Sequence, residues 1–189
     1  LTDVTSTSST YVHIIKATFC ENLTIENMFM NDISFVGQYP ALLQIENSNV
    51  EIRNITAINV NYFRDFFTKG RGVLCFIQAN AQLSSIYMAN ITAGGKNNPS
   101  AILFQRSTAN LTKSRFQNCS LSTIDGVSSL PRAALEFEDS SGTLSGIIIQ
   151  QNTITEGPSI IKVCKVSSVG SYHITATDVL MASNTIQVN

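Results

Sequence analysis

Residues 41–59 read ALLQIENSNVEIRNITAIN, residues 72–90 read GVLCFIQANAQLSSIYMAN, and residues 100–118 read SAILFQRSTANLTKSRFQN. The three stretches have one length and one pattern: pairs of mostly apolar residues two apart, separated by polar corners, and a closing Asn. Two further copies align on the first apolar pair. The second member of that pair, here called the anchor, is in turn Ile45, Phe76, Phe104, Phe137 and Val163. This internal repeat predicts stacked structural units.

The spacing of the apolar residues predicts strands. Residues two apart face the same side of a strand, whereas a helical repeat, the competing interpretation, needs apolar residues three and four apart. No such stripe occurs in the repeats. Length differences between copies are confined to residues 60–72, 91–101 and 119–134, which are rich in Gly, Pro, Asn and Ser. We therefore expect an all-β parallel solenoid with three short strands per turn and its loops on one face.

The repeats also resemble a known family. The stretches 41–56, 72–92, 101–120 and 133–153 are similar to the right-handed parallel β-helix repeats of pectin-lyase-like proteins, above all to the Asn- and Ser-rich versions in large secreted or surface proteins. The resemblance covers about residues 40–184, and it implies a right-handed parallel β-helix of about six turns. Residues 10–39 are expected to be a degraded first turn, with Asp32 in place of the Asn and with apolar residues in register at Leu23, Ile25, Met28 and Met30. Residues 1–189 would form one such segment of a longer chain.

An Asn near the end of each turn has a structural explanation. Its side chain can replace backbone hydrogen bonds in a turn, and Asn tolerates left-handed dihedral angles. In stacked turns, each amide could donate to the next and stabilise a buried corner. The expected ladder consists of Asn59, Asn90, Asn118, Asn152 and Asn184. A ligand-binding row of amides is the alternative.

Composition narrows the range of partners. The 189 residues include 12 Lys and Arg against 13 Asp and Glu, a net charge of -1. This balance lacks the basic surface with which proteins bind nucleic acid, so no nucleic-acid partner is expected. A hydrophobic content of 43% is enough for a packed core. No run approaches the roughly 18 apolar residues that would span a membrane.

Five N-x-S/T sequons are possible glycosylation sites. Asn22, Asn54 and Asn110 fall between inward positions and should face solvent. We therefore expect glycans there before Asn90 and Asn118, which belong to the expected ladder. Absence of any glycan is the alternative.

Four cysteines, Cys20, Cys75, Cys119 and Cys164, fall in different turns or at different corners. A disulfide needs Cα atoms within about 7 Å, so we expect four thiols packed among apolar neighbours. The cysteines therefore do not fix the compartment.

The acidic residues give little sign of catalysis. Family members that act on acidic polysaccharides use clustered Asp residues, bound Ca²⁺ or a well-placed base. The densest charge here is Glu136, Glu138 and Asp139, a conceivable acid/base or metal site. Stacking offers a plainer explanation, because Lys162 would lie over Glu136 as an exposed ion pair, and Asp139 would lie between Arg106 and Lys165. We expect no catalytic residue, no metal and no cofactor.

The segment VNYFRDFFTKGRG, residues 60–72, combines aromatic and basic side chains. Such a mixture is typical of contact surfaces. The candidate contact loop for a protein or glycan consists of Tyr62, Phe63, Arg64, Phe66 and Phe67. The alternative is that these aromatics fold back over the coil.

Neither end of the repeat is capped by a polar turn, which solenoids normally require. We therefore expect other copies, or further segments of the same protein, to stack end to end. The expected function is a non-enzymatic structural segment of an extracellular or cell-surface protein, in a filament or coat, with an adhesion or interaction role. The alternative is a carbohydrate-active or carbohydrate-binding β-helix whose acting residues lie outside this segment.

Overall fold

The computed structural model describes residues 2–7, 11–37, 39–64, 72–95, 100–122, 133–155, 159–166 and 171–187. Every regular element among them is a strand, so these residues include no helix that could cross a membrane. The strands are β1 (Thr2–Thr7), β2 (Tyr11–Thr18), β3 (Leu23–Gly37), β4 (Tyr39–Glu46), β5 (Asn49–Arg64), β6 (Gly72–Ile77), β7 (Asn80–Gly95), β8 (Ser100–Gln105), β9 (Thr108–Thr112), β10 (Arg115–Gln117), β11 (Ser120–Leu121), β12 (Leu135–Glu138), β13 (Ser141–Gln150), β14 (Thr153–Thr155), β15 (Ile161–Cys164), β16 (Ile174–Ala182) and β17 (Thr185–Gln187).

The strands pair in parallel and stack as a β-solenoid of about five turns. A six-stranded sheet has the order β2-β4-β6-β8-β12-β15. The remaining strands form an 11-stranded sheet whose main path is β1-β3-β5-β7-β10-β13-β16. Each strand pairs with its counterparts in adjacent turns, because the chain returns to the same sheet after one circuit. The prediction of an all-β parallel solenoid is confirmed.

The predicted columns of like residues are present. Phe76 pairs with Phe104, and Phe104 pairs with Phe137, in the six-stranded sheet. Their rings stack with centroid separations of 5.1 Å and 4.9 Å, and all three side chains are fully buried. The first turn is also in the expected register, because Leu23 pairs with Val50 and Met28 with Ile55. Stacked apolar columns therefore form the core.

Three columns of residues with positive φ bend each turn at its corners. Their φ angles lie between 48° and 64°, in the left-handed region that Asn and Asp tolerate better than most residues. The third column contains the first three Asn residues of the expected ladder. The columns are Phe19, Asn47, Gln78, Arg106 and Asp139; Asn27, Asn54, Ser85, Lys113, Gly146 and Asp178; and Asp32, Asn59, Asn90, Asn118, Gln151 and Ser183.

Beyond the third corner, each turn has another pair of inward-facing residues, which lies outside the three predicted strands. Val60 and Tyr62 face the core in β5, and Cys119 and Leu121 occupy the equivalent positions two turns later. The strands therefore extend into segments that we expected to be loops. The rest of those segments, residues 65–71, 96–99 and 123–132, lies outside the described residues.

The middle strands of the six-stranded sheet, β4, β6, β8 and β12, bury residues on both faces. One outward-facing column contains Gln44, Cys75, Leu103 and Glu136, whose exposed fractions are 1%, 0%, 3% and 7%. Strands buried on both faces read as continuous apolar runs, and GVLCFI of β6 is such a run. Polar groups in this column are consequently removed from solvent.

Candidate functional site

The first three Asn residues of the expected ladder form an exposed row of amides. Nδ2 of Asn90 donates to Oδ1 of Asn59 at 3.0 Å, and Nδ2 of Asn118 donates to Oδ1 of Asn90 at 3.4 Å. The row starts at Asp32, whose Oδ1 accepts a hydrogen bond from Asn59 at 3.0 Å. Its three amides are exposed, whereas we expected a buried corner. The row therefore runs along the outer surface of one corner and links successive turns.

Asn152 and Asn184 form a second, inward row one residue further along. Asn152 is 1% exposed and aligns with Cys119, because Thr153 pairs with Ser120. Its Oδ1 accepts the Cys119 N–H at 2.8 Å, and its Nδ2 donates to the Phe116 carbonyl oxygen at 3.2 Å. Asn184 repeats the contact, since its Oδ1 accepts the Asn152 N–H at 3.0 Å. The five residues expected in one ladder thus lie in two rows.

A column of buried serines has the same role at another corner. The Oγ of Ser48 accepts the Cys20 N–H at 2.9 Å, and the Oγ of Ser140 accepts the Ser107 N–H at 2.9 Å. Ser107 in turn accepts the Ala79 N–H at 3.1 Å. This column is not among the features predicted from the sequence. Its signal is a Ser three residues after the anchor in three of the repeats.

Glu136 and Lys162 form a buried ion pair on the outer face of the six-stranded sheet. Oε1 of Glu136 lies 2.6 Å from Nζ of Lys162, and Oε2 accepts a hydrogen bond from Ser100 Oγ at 2.6 Å. The two charged side chains are 9% and 11% exposed. The expectation of an exposed pair was therefore wrong, because this face of the sheet is covered. Each carboxylate oxygen of Glu136 thus has a partner in an adjacent turn, so the side chain links turns.

Asp139 binds backbone across adjacent turns. It is 2% exposed, and its Oδ1 accepts the Val166 N–H at 2.8 Å. Arg106 and Lys165, which we expected above and below it, are exposed. Among the described residues, no group of three or more His, Cys, Asp or Glu side chains is arranged to hold a metal ion.

An open groove of about 770 Å³ runs across the first corner. Phe19, which is 79% exposed, lies at one end of the groove, and Arg106 lies at the other end. The amides of Asn47, Gln78 and Asn80 line the space between them. A second groove of about 300 Å³ adjoins the first and shares Asn80 with it. Exposed aromatic, amide and charged groups are thus brought together on one surface.

The Asn side chains of the five sequons differ in exposure and in their hydrogen bonds. Asn22 is exposed. Asn54 is exposed but donates to Oδ1 of Asn27 at 3.1 Å. Asn110 is half-buried, because its amide donates to Gln82 at 2.9 Å and accepts from Thr143 at 2.7 Å. The amides of Asn90 and Asn118 belong to the exposed row.

The described residues of the candidate contact loop do not share one surface. Tyr62 is 1% exposed and lies in the core, so it is not a contact residue. Phe63 is 37% exposed, and its ring approaches the position that a Cβ would take at Gly94, at 3.8 Å. Arg64 ends β5, and Phe66 and Phe67 lie outside the described residues. Because β5 continues to Arg64, the alternation of a strand explains why the adjacent aromatics Tyr62 and Phe63 face opposite sides.

All four cysteines carry thiols. Cys75 and Cys119 are buried, and Cys20 and Cys164 are partly exposed. Burial raises the pKa of Cys119 to about 12, against the opposing effect of hydrogen bonds with the backbone of Ile91 and Gln117. Burial also raises the pKa of Cys164, partly offset by Lys162. Neither thiol is therefore activated as a nucleophile.

The last turn exposes side chains that the preceding turns bury. Val163, Met181 and Ile186 are 51%, 54% and 42% exposed. The residues that precede them in their columns, Phe137, Ile149 and Ile154, are all 0% exposed. We call the surface formed by Val163, Met181, Asn184 and Ile186 the end face. It displays core columns and strand edges without a further turn among the described residues.

Comparisons with protein families, with curated protein sequences and with solved structures found no match to this chain.

Proposed function

We propose that this chain is a non-enzymatic structural segment of an extracellular or cell-surface protein, and that its turns continue, end to end, into further turns of the same protein or of other copies. The observation that carries this proposal is the end face. Its apolar residues occupy core columns, yet about half of each side chain is exposed. Burying such a side chain contributes about 1.5–3 kcal/mol, which favours a covering turn.

Other features support a structural role. The conspicuous charged groups, Glu136 and Asp139, make hydrogen bonds or an ion pair across turns. Within this proposal the coil is a pectin-lyase-like β-helix of about six turns. We propose that it is right-handed, because parallel crossover connections are right-handed in nearly all proteins. Glycans on the exposed Asn22 and Asn54, and a role in adhesion or in a filament or coat, belong to the same proposal.

Sedimentation velocity of the full chain over a range of concentrations tests end-to-end association. We expect linear oligomers that form at high concentration. Met181→Lys should weaken association at least about tenfold, because it places a charge in a core column. Leu180→Lys is the matched control: Leu180 is also 54% exposed but faces outward beside Ile148. Equal effects of the two variants would contradict the proposed role of the end face. A chain that stays monomeric throughout would reject stacking of like copies and leave only continuation into further turns of the same protein.

A second candidate function is carbohydrate binding, and the groove at the first corner favours it. Carbohydrate sites combine an exposed aromatic ring with a few polar groups that orient the ligand. The groove offers the ring of Phe19, the amides of Asn47 and Gln78, and the charge of Arg106. Titration of the chain with linear neutral and acidic oligosaccharides, followed by calorimetry, tests this function. Phe19→Ala should abolish binding, and Phe29→Ala, which removes another exposed ring outside the groove, should not.

A further inference from the structure

We infer that the end face binds a solenoid turn of defined chemistry: one that places a side-chain oxygen, from Asn, Asp or Ser, opposite the backbone N–H of Asn184. This inference rests on the proposed end-to-end role and specifies the partner of that surface. It follows from the way in which the preceding turns of the same corner are joined.

Successive turns at this corner are linked through one column. The thiol of Cys119 donates to the Met88 carbonyl oxygen of the preceding turn at 4.0 Å. One turn later, Oδ1 of Asn152 accepts the Cys119 N–H at 2.8 Å. In the next turn, Oδ1 of Asn184 accepts the Asn152 N–H at 3.0 Å. Each turn thus supplies the polar side chain that completes the corner of the turn before it.

Asn184 is the end of this series. Its own Nδ2 is engaged, because it donates to the Ile149 carbonyl oxygen at 2.9 Å. The part of the chain that the structure describes offers no acceptor to its backbone N–H. A strand placed beside Thr185–Gln187 would cover that N–H, and a covered donor without a partner costs about 1–3 kcal/mol. An apolar residue in the partner's column would therefore weaken docking.

The other columns of the end face define the rest of the partner. Val163, Met181 and Ile186 require apolar residues opposite them, as Phe137, Ile149 and Ile154 provide in the preceding turn. A second copy of this chain is the poorer occupant. Its first strand, β1, pairs with β3 so that Val4 aligns with Ile33, which belongs to the Asn184 column. Val4 has no side-chain oxygen. The favoured partner is therefore a different turn, with an amide, carboxylate or hydroxyl in that column.

The test extends the full chain, after Asn189, by a second copy of residues 156–187. In one version the appended residue corresponding to Asn184 stays Asn, in a second it is Ala, and in a third it is Ser. Amide hydrogen exchange of Asn184 is then compared with that of the unextended chain. We expect exchange at Asn184 to slow at least about tenfold in the Asn and Ser versions and to change less than about twofold in the Ala version.

Exchange at Ile186 provides an internal control for docking, because it reports a covering strand independently of the polar contact. Slow exchange at Ile186 in all three versions, with slow exchange at Asn184 only in the Asn and Ser versions, supports the inference. Equal protection of Asn184 in the Asn and Ala versions, or no protection of either residue in any version, overturns it. The self-association of the unextended chain is measured separately. Failure of the copies to associate would thus reject stacking of like copies, whereas the extended chains decide the chemistry of the end face.

Discussion

The rings of Phe104 and Phe137 stack across adjacent turns, with centroids 4.9 Å apart and planes inclined by 23°. Phe104 also stacks on Phe76, so it is the middle ring of the column. Phe104→Ala should lower the free energy of unfolding by about 3–5 kcal/mol, because it opens a cavity between two buried rings. Urea unfolding followed by circular dichroism measures the loss.

The control for that variant is Phe29→Ala. Phe29 is 51% exposed on the outer face of β3, so its removal should cost far less than the loss of Phe104. Equal losses of stability in the two variants would show that the aromatic column is not a main source of cohesion between turns.

The inward amide row should matter more than the exposed one. Asn152→Ala leaves the buried Cys119 N–H and Phe116 carbonyl without their partner, at a cost of about 1–3 kcal/mol. Asn118→Gly is the comparison, because glycine keeps the positive φ and removes only an exposed amide. Its effect should stay within about 0.5 kcal/mol. The stability curves would contradict this order if Asn118→Gly were the more damaging change.

The columns were predictable because strand periodicity is short and local. The spacing of apolar residues two apart predicts that Phe76, Phe104 and Phe137 share one column, and they do. The shared corner of Asn59, Asn90 and Asn118 was predictable because few residue types tolerate a positive φ. These features depend on the repeat alone.

Three other features depend on contacts with neighbouring residues and could not be predicted from the repeat. The sequence repeat predicted that Asn152 belongs to the ladder. In the structure Gln151 has the positive φ, so the side chain of Asn152 faces inward. At Gly142, a Cβ would lie 1.8 Å from the carbonyl oxygen of Ala109 in the adjacent turn. The glycine is therefore required by a close backbone approach. Burial of Glu136 likewise depends on what covers the sheet.

Phe19 offers a test of backbone strain at the corners. It has a φ of 57°, and it is 79% exposed. A bulky residue in the left-handed region costs about 1–2 kcal/mol, and burial of this ring recovers little of that cost. Phe19→Gly should therefore raise the free energy of unfolding by up to about 1 kcal/mol. Glu21→Gly, an exposed position outside the positive-φ columns, should lower it. Loss of stability in both variants would mean that the ring makes a necessary contact.

The buried ion pair predicts a large effect of a single charge removal. Glu136→Ala leaves the Lys162 ammonium group without its counterion in a covered site, which should cost about 3–5 kcal/mol. The double variant Glu136→Met with Lys162→Met should recover most of that loss, because neither charge of the pair remains. Glu26→Ala, which breaks an exposed pair with Arg53, should leave the urea midpoint nearly unchanged. A mild effect of Glu136→Ala would show that water reaches the site.

Cys119 should make stability fall in alkaline solution. Its pKa is about 12 in the folded protein, against an ordinary value of 9.0, so the unfolded chain loses the thiol proton first as the pH rises. The contribution of the protonated thiol is complete below pH 9 and is lost progressively up to about pH 12, at up to about 1.4 kcal/mol per pH unit. Cys119→Ala removes this titration. Its free energy of unfolding should start lower, because a buried group is lost, but it should decline less steeply with pH than that of the unsubstituted chain. Parallel declines in urea titrations over this range would mean that the Cys119 thiol titrates normally in the fold.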